Sequence, residues 1–166
     1  VLRQGVPWDY RIAGVVYPYP SRPALEAAAR DRGLDPFVVA GLIRQESAFY
    51  SRAVSPAGAV GLMQVMPQTG RQLAAAEGPL LLHTEVIAHL GTAFLADTLQ
   101  RSGPELPLVL SAYNAGPTRL RRWDDFPEAV DPLRFTERVP FVETRGYIKA
   151  VVRNAAVYRW LYGGGV

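Results

Sequence analysis

Hydrophobic positions in this chain recur mostly at three- and four-residue spacing, the period of a helix with one buried face. The clearest stretch is residues 35–47, DPFVVAGLIRQES: Asp35 suits a helix cap, Pro36 the first helical position, and Val39, Leu42 and Ile43 form one apolar face. Before it, Ser21 is expected to cap a helix over 21–32, with Leu25, Ala28 and Ala29 inward and Gly33 as its stop. Further helices are predicted over 67–76, 85–101, 106–115, 118–123 and 144–162, the last with Tyr147, Ile148, Val151 and Tyr158 in phase. Between residues 51 and 67 the period fails, and Pro56, Gly58 and Gly61 predict turns with one or two short extended pieces. Residues 1–20 read as an extended lead-in, and the acidic, proline-punctuated stretch after Trp123 as a connection. The expected fold class is mostly α: one helical domain over 21–166, with a small irregular or β insert directly after the helix over 35–47.

Composition narrows what such a domain can be. At 166 residues the chain is long enough for a real core. It has no cysteine, which excludes disulfides and thiolate metal sites, and its two histidines, His83 and His89, form no ligand cluster. No metal or cofactor is expected. The net charge of +3 suits an acidic polymer. The Arg119, Arg121 and Arg122 cluster is too short for a nucleic-acid binder and reads as a solvated rim beside an anionic polymer, so no nucleic-acid partner is expected. No apolar run approaches the roughly 18 residues of a membrane span, and no signal peptide is visible. The chain begins at Val1 rather than Met, as a processed or excised piece would.

The chemistry concentrates at Glu46. It stands seven, four and three residues beyond Val39, Leu42 and Ile43 and therefore shares their apolar face. Burial penalises the charged form, so this carboxyl should have a raised pKa and hold a proton near neutral pH, as a general acid must. The competing reading is a half-solvated Glu at a helix end, paired with Arg44 or Arg52. Three other residues draw attention singly: Gln64 in a glycine-framed loop, Tyr113 on an inward helix face, and Asn114 at a helix stop. Each has an ordinary structural reading when taken alone.

Together they form an ordered set. Glu46-Ser47, then Ser55-x-x-Gly58-Ala59-x-Gly61-Leu62-Met63-Gln64-x-Met66-Pro67, then Ala112-Tyr113-Asn114-Ala115-Gly116-Pro117, then Pro140-Phe141-Val142-Glu143-Thr144-Arg145-Gly146-Tyr147 resembles the soluble lytic transglycosylases, family 1. The resemblance implies a lysozyme-like fold and non-hydrolytic cleavage of peptidoglycan strands between N-acetylmuramic acid and N-acetylglucosamine, leaving 1,6-anhydromuramic ends. It implies Glu46 as the single acid/base catalyst and Ser55, Gln64 and Met66 as sugar contacts. Tyr113 is implied beside Glu46, its hydroxyl bonding the carboxyl or the substrate's N-acetyl group. Met63 is expected to pack beneath the loop, Glu143 to hold the motif loops at the cleft wall, and Ser47, Asn114 and Tyr147 to support the site. The family setting further implies a periplasmic location and, from Tyr17-Pro18, a junction with a preceding helical domain. Two departures, Ile87 where the family commonly has Asn and Phe94 where it often has Tyr, bear on packing. The alternatives left open are a lysozyme-type hydrolase using the same Glu46 and a non-catalytic glycan-binding module.

Overall fold

A computed structural model describes residues 9–77, 84–123 and 125–164. The chain folds into helices α1 (Tyr10–Val16), α2 (Arg22–Arg30), α3 (Pro36–Ser47), α4 (Pro67–Glu77) and α5 (Thr84–Ser102). They are followed by α6 (Leu106–Ala115), α7 (Pro117–Leu120), α8 (Pro132–Arg138) and α9 (Val142–Tyr162), with a 3-10 turn at Pro127–Val130. The described residues form no sheet: extended pairing is limited to two antiparallel bridges, Val54 with Val60 and Val60 with Val65. The mostly helical expectation and the irregular insert after α3 both hold.

The centre of the body is α3 laid antiparallel on α9. Asp35 starts α3 by accepting from the Phe37 amide at 2.9 Å, and its other oxygen pairs with Arg159 near the far end of α9. The two backbones meet at Gly41, where a Cβ would lie 2.7 Å from the Ala155 nitrogen and 2.9 Å from the Val151 carbonyl oxygen. Only a residue without a side chain permits that approach. Asn154, buried beside it, offers its amide to the Gly41 carbonyl at 3.4 Å and accepts from the Tyr17 hydroxyl at 3.3 Å. Leu42, Ile43, Ile148, Val151 and Tyr158 fill the seam and are essentially solvent-free. Each such side chain contributes about 1.5–3 kcal/mol through burial.

Four local expectations change. The lead-in is not wholly extended: Asp9 accepts from the Arg11 and Ile12 amides, both at 2.9 Å, and starts α1. This short helix is held by Ala13 in the core and by Tyr10 edge-on to Trp160. Tyr17 and Tyr19 then join the core, and the Tyr158 and Tyr162 hydroxyls donate to the Pro18 and Tyr17 carbonyls. Ser21 does not cap α2: its backbone is left-handed (φ 55°), which turns the hydroxyl away from the helix amides. The stretch after Trp123 is not only a connection, because Asp131 caps α8 through the Leu133 and Arg134 amides. Finally, α9 begins at Val142, two residues before its first expected turn. Of the two family departures, the side chain at position 87 lies outside the described residues, while Phe94 packs against the Tyr113 ring at 4.8 Å.

Candidate active site

The site lies where the C-terminal end of α3 meets the N-terminal half of α9. Half-buried Glu46 projects from the last turn of α3, and Tyr147, in the second turn of α9, donates its hydroxyl to Glu46 Oε1 at 2.6 Å. Burial raises the Glu46 pKa from 4.5 to about 7, and the Tyr147 hydrogen bond partly opposes that rise by favouring the carboxylate. Neither arginine of the competing reading is its partner. Arg44 lies over the Tyr17 ring at 4.1 Å, and no ion pair reaches Glu46 among the described residues. A carboxyl that titrates near neutral pH can both donate and accept a proton there.

The loop facing this carboxyl is built unlike the helices. Ala48 (φ 49°) and Phe49 (φ 66°) reverse the chain after α3 in left-handed conformations that cost non-glycine residues roughly 1 kcal/mol or more each. The Phe49 ring, packed 5.9 Å from Tyr158, holds that reversal in place. Residues 60–65 then close a tight turn, with Val60 and Val65 exchanging backbone hydrogen bonds at 3.0 and 3.1 Å and Gly61 at φ 79°. Three consecutive carbonyls in the turn each receive a side-chain donor. The Gln64 amide donates to Gly61 at 2.8 Å, Ser47 Oγ to Leu62 at 2.8 Å, and the Tyr113 hydroxyl to Met63 at 2.8 Å. Helices α3 and α6 therefore each hold one rung of the turn, and Gln64 braces it from within.

These contacts redistribute the expected roles. Tyr113 does not bond Glu46: its hydroxyl is committed to the Met63 carbonyl, and Tyr147 bonds the carboxyl instead. Tyr113 still feels the Glu46 charge, and burial with that charge pushes both tyrosine pKa values well up, so both stay protonated. The Gln64 amide nitrogen also reaches the Ala53 carbonyl at 3.2 Å and serves the loop backbone, a use that competes with sugar contact. Ser55 Oγ accepts from the Ala59 amide at 3.0 Å and closes the turn around Pro56. Met63 packs beneath the loop as expected, fully buried against Gly91, where a Cβ would meet the Met63 Cβ at 2.7 Å. Met66 is 45% exposed and borders a pocket of about 220 Å³ with Val54, Val60, Val65, Leu90 and Arg52.

Glu143 is a correction. It is exposed and holds no motif loop; with the described residues it makes neither a hydrogen bond nor an ion pair. Its neighbour Thr144 carries that function, donating to Asn114 Oδ1 at 2.7 Å and tying the end of α6 to the first turn of α9. The physical reason is helix phase. Thr144 stands three, four and seven residues before the buried Tyr147, Ile148 and Val151 and so lies at the middle of their face, whereas position 143 is turned about 100° to its edge and reaches solvent. Counting back four residues from Ile148 and seven from Val151 singles out Thr144. No group of three or more potential metal ligands occurs among the described residues.

Comparisons with known proteins bear on the family and the fold. Residues 23–132 match the family described as Transglycosylase SLT domain. The soluble lytic murein transglycosylase of Salmonella typhimurium is 39% identical over 130 residues, covering 74% of this chain and 20% of the relative. The lytic transglycosylase Slt of Pseudomonas aeruginosa, solved as an inactive Glu-to-Gln mutant, superposes with a TM-score of 0.84 at 33% identity. That match covers 92% of this chain and 26% of the solved one. The 70 kDa soluble lytic transglycosylase of Escherichia coli gives a TM-score of 0.81 at 30% identity, over 91% of this chain and 26% of that one. The match thus spans about a fifth of the length of the Salmonella typhimurium and Escherichia coli soluble lytic murein transglycosylases.

Proposed function

The chain belongs to the transglycosylase SLT domain family, and from that premise we propose that it is a peptidoglycan lytic transglycosylase with Glu46 as its single acid/base catalyst. The observation that carries the reading is the Glu46 carboxyl: half-buried, bonded by Tyr147, and titrating near pH 7. In the acid form it protonates the glycosidic oxygen, while the substrate's N-acetyl carbonyl closes on C1 as the bond breaks. The resulting carboxylate then takes the proton of the C6 hydroxyl as O6 attacks C1, opening the oxazolinium ring and leaving a 1,6-anhydro sugar. No water is consumed, and Glu46 ends protonated for the next turnover. Ordinary glycosidases pair two carboxylates across the bond. Here burial and Tyr147 are what shift Glu46, and the loop over residues 53–67 contains no Asp or Glu. That composition favours a mechanism in which the substrate supplies its own nucleophile.

In this reading Ser55, Gln64 and Met66 line the sugar path, with the Gln64 carbonyl and the Met66 side chain as the groups turned to substrate. The catalytic unit in this reading runs from α1 through α9, since Ala13, Tyr17 and Tyr19 belong to its core rather than to a separate lead-in over 1–20, and a preceding helical domain would join it on that side. The enzyme works on glycan strands in the periplasm. No helix among the described residues is long and apolar enough to cross a membrane.

Mass spectrometry of the muropeptides released from sacculi tests the reading. Products ending in 1,6-anhydromuramic acid, one water lighter than hydrolytic products, are expected. Reducing ends would make the protein a lysozyme-type hydrolase, and binding without products a glycan-binding module. Glu46→Gln should keep the fold and lose at least about 99% of the rate, the range for loss of general acid catalysis. More residual activity than that would rule out the assignment of Glu46.

A further inference from the structure

One face of the molecule carries apolar side chains that nothing among the described residues covers. Leu133, in the first turn of α8, is 82% exposed; Val130, three residues before it, is 90% exposed; and Val152 on α9 is 42% exposed. Leu133 and Val152 border an open groove of about 770 Å³ between the start of α6, α8 and the middle of α9, lined also by Leu106, Pro107 and Ile148. Single apolar residues on a surface are ordinary, but a set of them around a groove marks a place where another surface packs.

The charges of the groove point to what packs there. Glu105, Glu137, Lys149 and Arg153 all line it, and Lys149 pairs with Glu137 at 2.6 Å. That leaves Glu105 and Arg153. Both are exposed, the Glu105 carboxylate does not cap α6, and neither residue makes an ion pair among the described residues. The α6 wall thus offers a free anion and the α9 wall a free cation. A groove of one sign would fit an oppositely charged polymer. A groove carrying one charge of each sign is complementary to itself under a two-fold rotation, where residue i meets residue j of the partner and j meets i. Glu105 of each copy then faces Arg153 of the other, while the apolar side chains bordering the groove close on their counterparts. The catalytic side of α9 stays free, because Val152 and Arg153 stand about 140° and 240° round the helix from Tyr147.

We propose that the groove between α6, α8 and α9 is the interface of a two-fold dimer of this chain. The pairing is independent of the reaction proposed above; under that reaction it presents two open clefts to the polymer at once. Sedimentation equilibrium from about 1 μM to 1 mM, the span of weak to moderate affinities, reads it. The wild type should pass from monomer to dimer across that range. Leu133→Asp should stay monomeric throughout, with unchanged thermal unfolding because Leu133 is exposed. Glu105→Arg and Arg153→Glu each set like charges against each other at two symmetry-related places and should weaken the dimer at least about tenfold. Combined in one chain, the two changes exchange the charges and should restore the dimer to within about threefold of wild type. A wild type monomeric over the whole range would overturn the proposal. So would a dimer that survives Leu133→Asp, since it joins by another face, or a double variant weaker than either single one, since Glu105 then does not face Arg153.

Discussion

The α3–α9 seam and the loop over residues 48–66 meet at the end of α3, beside Glu46, and are held together by opposite means. The seam is apolar and close-packed: Gly41 lets two backbones touch, and Leu42, Ile43, Ile148 and Val151 exclude water. The loop has few buried apolar side chains and is held by point contacts, side-chain donors on the carbonyls of Gly61, Leu62 and Met63. Close packing resists any change of volume, while a hydrogen-bonded loop loses its contacts one at a time. An acid that must keep a shifted pKa benefits from the first, and under the proposed function a wall that admits a glycan strand benefits from the second.

The largest effect should come from breaking the seam. Gly41→Val places three carbons where even one would lie 2.7 Å from the Ala155 nitrogen, a backbone atom that cannot move without shifting α9. Overpacking of this kind costs about 1–3 kcal/mol, or more where backbone must give. Because α9 carries Tyr147, both stability and activity should fall, read by denaturant midpoint and by turnover of sacculi. A variant as stable as wild type would show that the seam is looser than its geometry.

A sharper comparison pits the two tyrosine hydroxyls against each other. Tyr147→Phe removes the bond that favours the Glu46 carboxylate, so the pKa of about 7 must rise further. In the proposed mechanism the acid form starts the reaction, so the alkaline limb of kcat/KM should move to higher pH in this variant. Tyr113→Phe instead strands the buried Met63 carbonyl. It should cost about 1–3 kcal/mol of stability and leave the limb in place. If Tyr113→Phe moved the limb and Tyr147→Phe did not, the two roles would be exchanged.

The seam was far more legible in the sequence than the loop, for a physical reason. A helix face repeats, so spacing alone places Val39, Leu42, Ile43 and Glu46 together. The loop's bonds run from side chains to backbone carbonyls, and no periodicity marks which carbonyl Ser47 or Tyr113 will find. Proline and glycine showed only that a turn was there. The same limit hid the Met63 carbonyl as the partner of the Tyr113 hydroxyl and the outward phase of Glu143, whose motifs were legible but whose contacts were not. Helix α8 was missed for a different reason. Asp131-Pro132 is the same start signal as Asp35-Pro36, but without a long apolar face behind it the pair read as a break. Helix α1, at seven residues, is too short to show a period and depends on contacts with α9.

The smallest expected effect tests the loop by itself. Ser47 Oγ lies 2.8 Å from the Leu62 carbonyl and 3.2 Å from the Ile43 carbonyl of its own helix, and its one proton can serve only one of them well. Ser47→Ala removes the tie to Leu62, while Gln64 and Tyr113 keep their neighbouring rungs. Global stability should fall by only about 1 kcal/mol, the net worth of one such bond. The amides of residues 60–65 should exchange with solvent several-fold faster, because the free energy of local opening falls by that same amount. Amides in the α3–α9 seam should lose no more protection than the global change accounts for. Extra loss there, beyond the change in global stability, would mean that the loop and the seam open as one unit and that their different construction has no mechanical consequence.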